Sequence, residues 1–150
     1  MYKRLIILAT FFTAIFLFPK TVLGFGITPA EIYVEQLKPG THIERKIYIT
    51  RPADEVNDDL KVELVPDLGE MDSWFKYIPG KNFDFPTGKN VTSFQVIVDV
   101  PVDIELKNYK GQITAKGLSD KKAPSGVTII KGAVLGVDVV ASDVRIAHRG

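Results

Sequence analysis

The chain has 150 residues, 45% of them hydrophobic and 25% charged, with no cysteine. This is an ordinary globular composition, and it excludes a disulfide framework and any thiolate metal site. The formal charge is +1, but with Lys3, Arg4 and Lys20 of the N-terminal segment set aside, sixteen basic residues face eighteen acidic ones, a net of −2 that offers nothing to a nucleic-acid backbone.

Met1 to Gly24 has the form of an export signal: Lys3 and Arg4, an apolar run from Leu5 to Phe18, then Pro19 and the small-residue end Val22-Leu23-Gly24. The run falls short of the ~20 residues a helix needs to cross a bilayer. Residues 1–24 are therefore read as a signal peptide, with an uncleaved anchor as the alternative and the chain's sole membrane contact in that case. Residues 25–142 are expected to form one β-domain. Residues 143–150 are a polar tail or the point where a longer chain was cut.

Ile27 to Thr50 reads as two strands joined by a tight turn. Ile32 and Val34 share one face of the first, Ile43, Ile47 and Ile49 one face of the second, and Lys38-Pro39-Gly40 lies between them. The alternation predicts a hairpin. The acidic stretch from Pro52 to Asp59 lacks the residue order of a calcium loop and reads as solvated. Leu60, Val62 and Leu64 mark a third strand. From Asp67 to Lys89 turn residues alternate with Trp74, Phe75, Tyr77, Phe83 and Phe85, predicting an irregular crossover whose rings plug one side of the core, against a second reading in which Trp74 and Tyr77 form a platform for sugars or partner side chains.

Phe94, Val96, Val98 and Val100 line one face of the strongest strand, which Pro101 ends. Tyr109, Gly111, Ile113 and Ala115 line the next, and a polar loop is expected over residues 119–126. Val127 to Ala141 is apolar on both faces, with Val127, Ile129, Leu135, Val137 and Val139 on one and Ile130, Val134 and Val140 on the other. Either Gly132 and Gly136 break it into two strands, which is the favoured expectation, or the second face is covered by a partner. In the latter case Ile130, Val134 and Val140 are the contact residues.

Pro29-Ala30, the Lys38-Pro39-Gly40 turn, and Val98-Asp-Val-Pro-Val-Asp103 leading to Tyr109-Lys-Gly111 resemble the immunoglobulin-like domains of bacterial surface proteins, in particular exported modules of unknown function. The resemblance implies an all-β, antiparallel, two-sheet sandwich of about seven strands behind the N-terminal signal or anchor helix. It also implies a structural corner at Asp103 and Tyr109, where the tyrosine hydroxyl bonds back to the chain. Periplasmic pilus chaperones share this kind of sandwich.

No nucleophile and base stand together in the sequence. His42 and His148 lie far apart in polar contexts, Asp99 and Asp103 read as a strand end, and the expectation is no enzyme and no cofactor. The functional expectation is a non-catalytic exported module of the periplasm or cell surface, binding protein or cell-wall polysaccharide or serving as a spacer. The alternative is a chaperone-like protein that pairs a partner's strand by β-augmentation. Arg45, which interrupts the apolar face of the second strand, is its candidate basic contact, and a lone arginine at a strand's wet end is the alternative reading.

Overall fold

The computed structural model describes residues 24–122 and 128–142; the leader, Val127, the side chain of Ile129 and the tail from Asp143, with His148, lie outside the described residues. Nine strands follow one another: β1 (Gly26–Thr28), β2 (Glu31–Leu37), β3 (His42–Thr50), β4 (Leu60–Asp67), β5 (Phe75–Ile78), β6 (Asn82–Phe85), β7 (Val91–Asp99), β8 (Asn108–Lys122) and β9 (Thr128–Ala141). One sheet has the order β1-β3-β7-β5 and the other β2-β9-β8-β4-β6. The protein is an all-β two-sheet sandwich.

Every connection from β1 to β8 passes from one sheet to the other, and β8 with β9 forms the one hairpin among the described strands. The predicted opening hairpin is therefore corrected. The turn is real, with Gly40 at φ 77° and Thr41 N–H bonded to Lys38 O at 3.2 Å, but it joins strands of opposite sheets. A period of two fixes which side of a strand is apolar and leaves open which sheet it enters. The sandwich is also not wholly antiparallel, because β2 lies parallel to β9 from Glu31↔Gly136 onward. Gln36, at φ 54°, sits where this register shifts between Val34 and Leu37, so the strand bulges and turns Leu37 back into the core.

The crossover expected as irregular holds a 3-10 turn (Gly69–Trp74) and two short strands, β5 and β6, that extend opposite sheets on either side of Pro79-Gly80. Its rings do close the core. Trp74 is 5% exposed, Phe75 and Phe85 are buried, and Trp74 meets Tyr109 edge to face at 4.9 Å. Facing side chains interdigitate between the sheets: Ile47, Ile49, Phe94, Val96 and Val98 from one, Leu60, Val62, Leu64, Ile113, Leu135, Val137 and Val139 from the other. Each such side chain, once fully removed from water, stabilises the fold by ~1.5–3 kcal/mol.

β9 is a single strand. Its register against β8 runs without a shift from Val140↔Asn108 to Ile130↔Leu118, through both Gly132 and Gly136, so the expected glycine break is overturned. Both glycines keep an extended backbone and face outward, opposite Lys116 and Gln112, where a missing side chain disturbs no packing. β8 likewise extends through Lys122, across the first part of the expected polar loop.

Candidate functional site

Polar side chains gather in two places. On the outer face of β3, β7 and β5, His42 Nδ1 lies 2.6 Å from Asp99 Oδ1 and its Nε2 3.2 Å from Glu44 Oε1, while Lys76 Nζ donates to Asp99 Oδ2 at 2.8 Å. His42 is thus exposed but paired rather than merely solvated. Hydrogen bonding to Asp99, then to Glu44, raises its pKa above 6.5, and Lys76 followed by His42 lowers that of Asp99. The ladder brings His42, Asp99 and Lys76 together from three strands far apart in sequence, with Glu44 two residues along the strand of His42, so sequence spacing announces only the His42–Glu44 pair. An exposed cluster of this kind holds strands in register.

The second place is a clamp. Arg51, only 1% exposed, donates from Nε to Lys89 O at 2.8 Å, from Nη1 to Asp58 O at 2.8 Å, and from Nη2 to Pro86 O at 2.9 Å and to Val56 O. Its guanidinium lies over the Phe85 ring at 4.5 Å. Two loops, before β4 and before β7, are thereby tied together. Beside it a cavity of about 70 Å³ opens between Arg51, Glu55, Asp58, Gly117 and Lys131, with Lys131 bonded to Glu55. That space suits a few waters, whereas small-molecule pockets run to ~300–1,000 Å³. Among the described residues no group of three or more histidine, aspartate or glutamate side chains converges as metal ligands. Sequence reasoning missed Arg51; an arginine just before a proline at a strand end reads as exposed, and only the return of residues 86–90 shows otherwise.

A third feature is made by the backbone. β2 meets β9 only from Gly136 onward, so among the described residues no strand pairs the open side of β9 over Thr128–Leu135. β1 passes close by but gives its ladder to β3. Gly136 N–H bonds to Ala30 O and Ser142 N–H to Leu37 O, both on the β2 side, whereas Ala141 N–H turns to Lys107 O on the β8 side. Because these directions alternate along a strand, the N–H and C=O groups of Ile130, Gly132 and Val134 point to the open edge. The same residues lie on the outer face, where Ile130 is 61% and Val134 51% exposed. The other sheet edges are the three- or four-residue strands β1, β5 and β6 and the bulged β2, which carries Glu31 and Glu35. The unpaired run of β9 is twice as long as β5 or β6 and free of proline; Lys131, paired with Glu55 on the inward side, is its single charged residue of the kind that blunts an edge.

Of the residues singled out from sequence, the fold brings together Ile130 and Val134, with Val140 half-buried further along the same face. Trp74 is in the core. Tyr77 is half-buried on the inward side of β5, and burial pushes its hydroxyl well above the usual tyrosine range. Tyr109 Oη donates to Glu105 O at 2.8 Å, Asp103 is exposed in the preceding turn, and Lys107 bridges Glu105 and Glu70 above the Tyr109 ring. Arg45 is exposed and bonds the Glu44 carbonyl at 3.0 Å.

No family model matches the sequence, and no curated protein does. Among solved structures, the chain resembles one from the Salmonella enterica SafA pilin–SafB chaperone complex (TM-score 0.57, 12% identity, covering 84% of this chain and 58% of that one). It also resembles the PapD-like domain 7 of human CEP192 (0.54, 12%, 85% and 94%) and the Escherichia coli chaperone DraB (0.52, 10%, 79% and 55%). The chain spans a little over half the length of those two bacterial proteins. At these identities the likeness establishes a PapD-like, immunoglobulin-like β-sandwich.

Proposed function

We propose that the protein is an exported, non-catalytic assembly factor of the cell envelope that holds a partner protein by adding the partner's strand to the open edge of β9. One observation carries the reading: among the described residues no strand pairs the side of β9 away from β8 over Thr128–Leu135, on a sheet whose other edges are short or bulged. An extended peptide is the chemical complement of such an edge, since its own N–H and C=O groups continue the ladder while side chains on one face supply selectivity. The export-like leader, and a fold shared with chains from pilin–chaperone assemblies, support an envelope setting. Against the spacer or polysaccharide-binding reading, Trp74 is unavailable for stacking on a sugar.

The test is photo-crosslinking in producing cells. A photoreactive residue in place of Val134 is expected to capture one defined, extended segment of a partner. Gly132→Pro should abolish capture, because it removes an N–H that points to the open edge and leaves the β8 ladder untouched. Equal capture from a photoreactive residue at Tyr48, on the opposite sheet, or capture unaffected by the proline, refutes the reading.

A further inference from the structure

The geometry points to a partner strand that carries a large apolar side chain at the position facing Gly132. The inference rests on the strand-pairing reading and specifies what the edge selects. Along the outer face of β9 the sequence places Ile130, Gly132 and Val134 in a row, two exposed apolar side chains with a gap between them. A Cβ built on Gly132 meets nothing within 4 Å, so the gap is an open notch rather than a close approach to another part of the fold.

Across the ladder, β8 supplies Leu118 opposite Ile130, Lys116 opposite Gly132 and Thr114 opposite Val134. The notch therefore has apolar walls along β9 and a lysine stem at its back. Directly opposed residues on one face of a sheet stand about 4.5–5.5 Å apart at Cβ, so a side chain on an added strand at the Gly132 position reaches over the glycine. Bulky and aromatic residues cover a glycine in this way, shielding backbone that would otherwise stay wet.

Charge argues the same way. Lys116 stands opposite Glu63, Lys61 opposite Asp84, and Lys110 lies 3.2 Å from Asp138, so these three lysines each have a carboxylate neighbour and β9 contributes no charge at Ile130, Gly132 or Val134. A charged side chain over the notch would gain no partner and would lose water. Length is bounded as well. The added strand lies in line with β2 and stops against Ala30 and Glu31, which leaves the eight residues Thr128–Leu135, ~26 Å at the usual rise per residue.

The probes are capped nine-residue peptides of alternating threonine and valine with lysine at both ends, identical except for alanine, leucine or phenylalanine at the centre. Binding to the full chain is measured by fluorescence anisotropy, with amide protection at Ile130, Gly132 and Val134 reporting the site. The leucine and phenylalanine peptides are expected to bind about tenfold more tightly than the alanine peptide. Gly132→Val fills the notch from a Cβ that meets nothing within 4 Å, and should bring the three affinities to within about twofold of one another. Equal binding of all three to the wild-type chain, a ranking that survives Gly132→Val, or protection of other strands overturns the inference while leaving strand pairing standing. If no peptide binds and no amide on β9 is protected, strand pairing itself is refuted.

Discussion

Replacing Arg51 by methionine removes the clamp between two loops while keeping an apolar stem of similar length in place. Four carbonyls lose a bond to the guanidinium: those of Lys89 and Pro86, on exposed residues, and those of Val56 and Asp58, on half-buried ones, although Lys89 N–H still serves Pro86 O and Gly88 N–H still serves Val56 O. A buried acceptor left without a partner costs ~1–3 kcal/mol. The first pair reaches water again with a small loop movement and Val56 O keeps the Gly88 N–H, so the loss is set by the charge-assisted bonds given up, chiefly that to Asp58 O, and by the guanidinium that no longer lies over Phe85. The expected destabilisation is about 2–4 kcal/mol, because a hydrogen bond to a charged group is worth ~1.5–3 kcal/mol and the carbonyls left behind are neutral. In a domain of this size that lowers Tm by roughly 8–16 °C. Arg51→Lys should recover little of it, since one ammonium cannot span carbonyls from both loops. Urea unfolding followed by the fluorescence of Trp74, the single tryptophan, gives the global value. Exchange of the Gly88 amide, which bonds to Val56 O at 2.6 Å across the two loops, gives the local one. A midpoint within about 1 kcal/mol of wild type, with Gly88 still protected, would show that water serves these carbonyls as well as arginine does.

Phe94→Ala should cost ~3–5 kcal/mol and Gln95→Ala, on the wet face, under ~0.5, so equal losses in denaturant would refute the register of β7. Ile130→Lys and Val134→Lys should each leave the unfolding midpoint nearly unchanged, whereas Leu135→Lys, one residue on and fully buried, should prevent folding; a large loss at Val134 would mean that β9 faces the other way. Gly111→Ala should destabilise by ~1–3 kcal/mol, because its Cβ would lie 2.9 Å from Asp67 O, while Gly132→Ala should be neutral or slightly stabilising, and thermal melts separate the two. The folded pKa of His42 is raised, so its stabilising contribution is fully present below 6.5 and is lost as pH rises through the folded value; that of Asp99 is lowered, so its contribution is present above 3.8 and is lost as pH falls through the folded value. An NMR titration of His42 at or below 6.5, or one that Asp99→Asn does not move downward, contradicts this pairing.

Much of the fold was legible because burial alternates along strands. Phe94, Val96 and Val98 on one strand and Leu60, Val62 and Leu64 on another announce their inward faces with no knowledge of their neighbours. Sheet membership was not legible. Pro39-Gly40 makes the same turn whether the next strand returns beside the last one or crosses the core, and that choice is settled by partners such as Val98 for Ile43 and Val137 for Ile32. The two-faced pattern of β9 flagged Ile130 and Val134, but the glycines between them suggested a break. Gly132 instead continues the strand, and the open side of β9 around it depends on β2 meeting β9 only from Gly136 onward, which no local pattern encodes. Arg51 was invisible for a similar reason, since its acceptors are backbone groups, identical at every position of a sequence.

The alternation of the chain between sheets has a consequence for its biogenesis. Glu31 pairs with Gly136 and His42 with Asp99, so the early strands have no local partner and the one hairpin comes last. While the chain is being synthesised, the four-stranded sheet and the β4–β6 pair have all their strands before β8 and β9 emerge, so the five-stranded sheet that must cover the first is the last to close. Closing such distant contacts is slow. The apolar face of the four-stranded sheet thus stays uncovered until β8 and β9 have been made, and the core closes only with the last two strands.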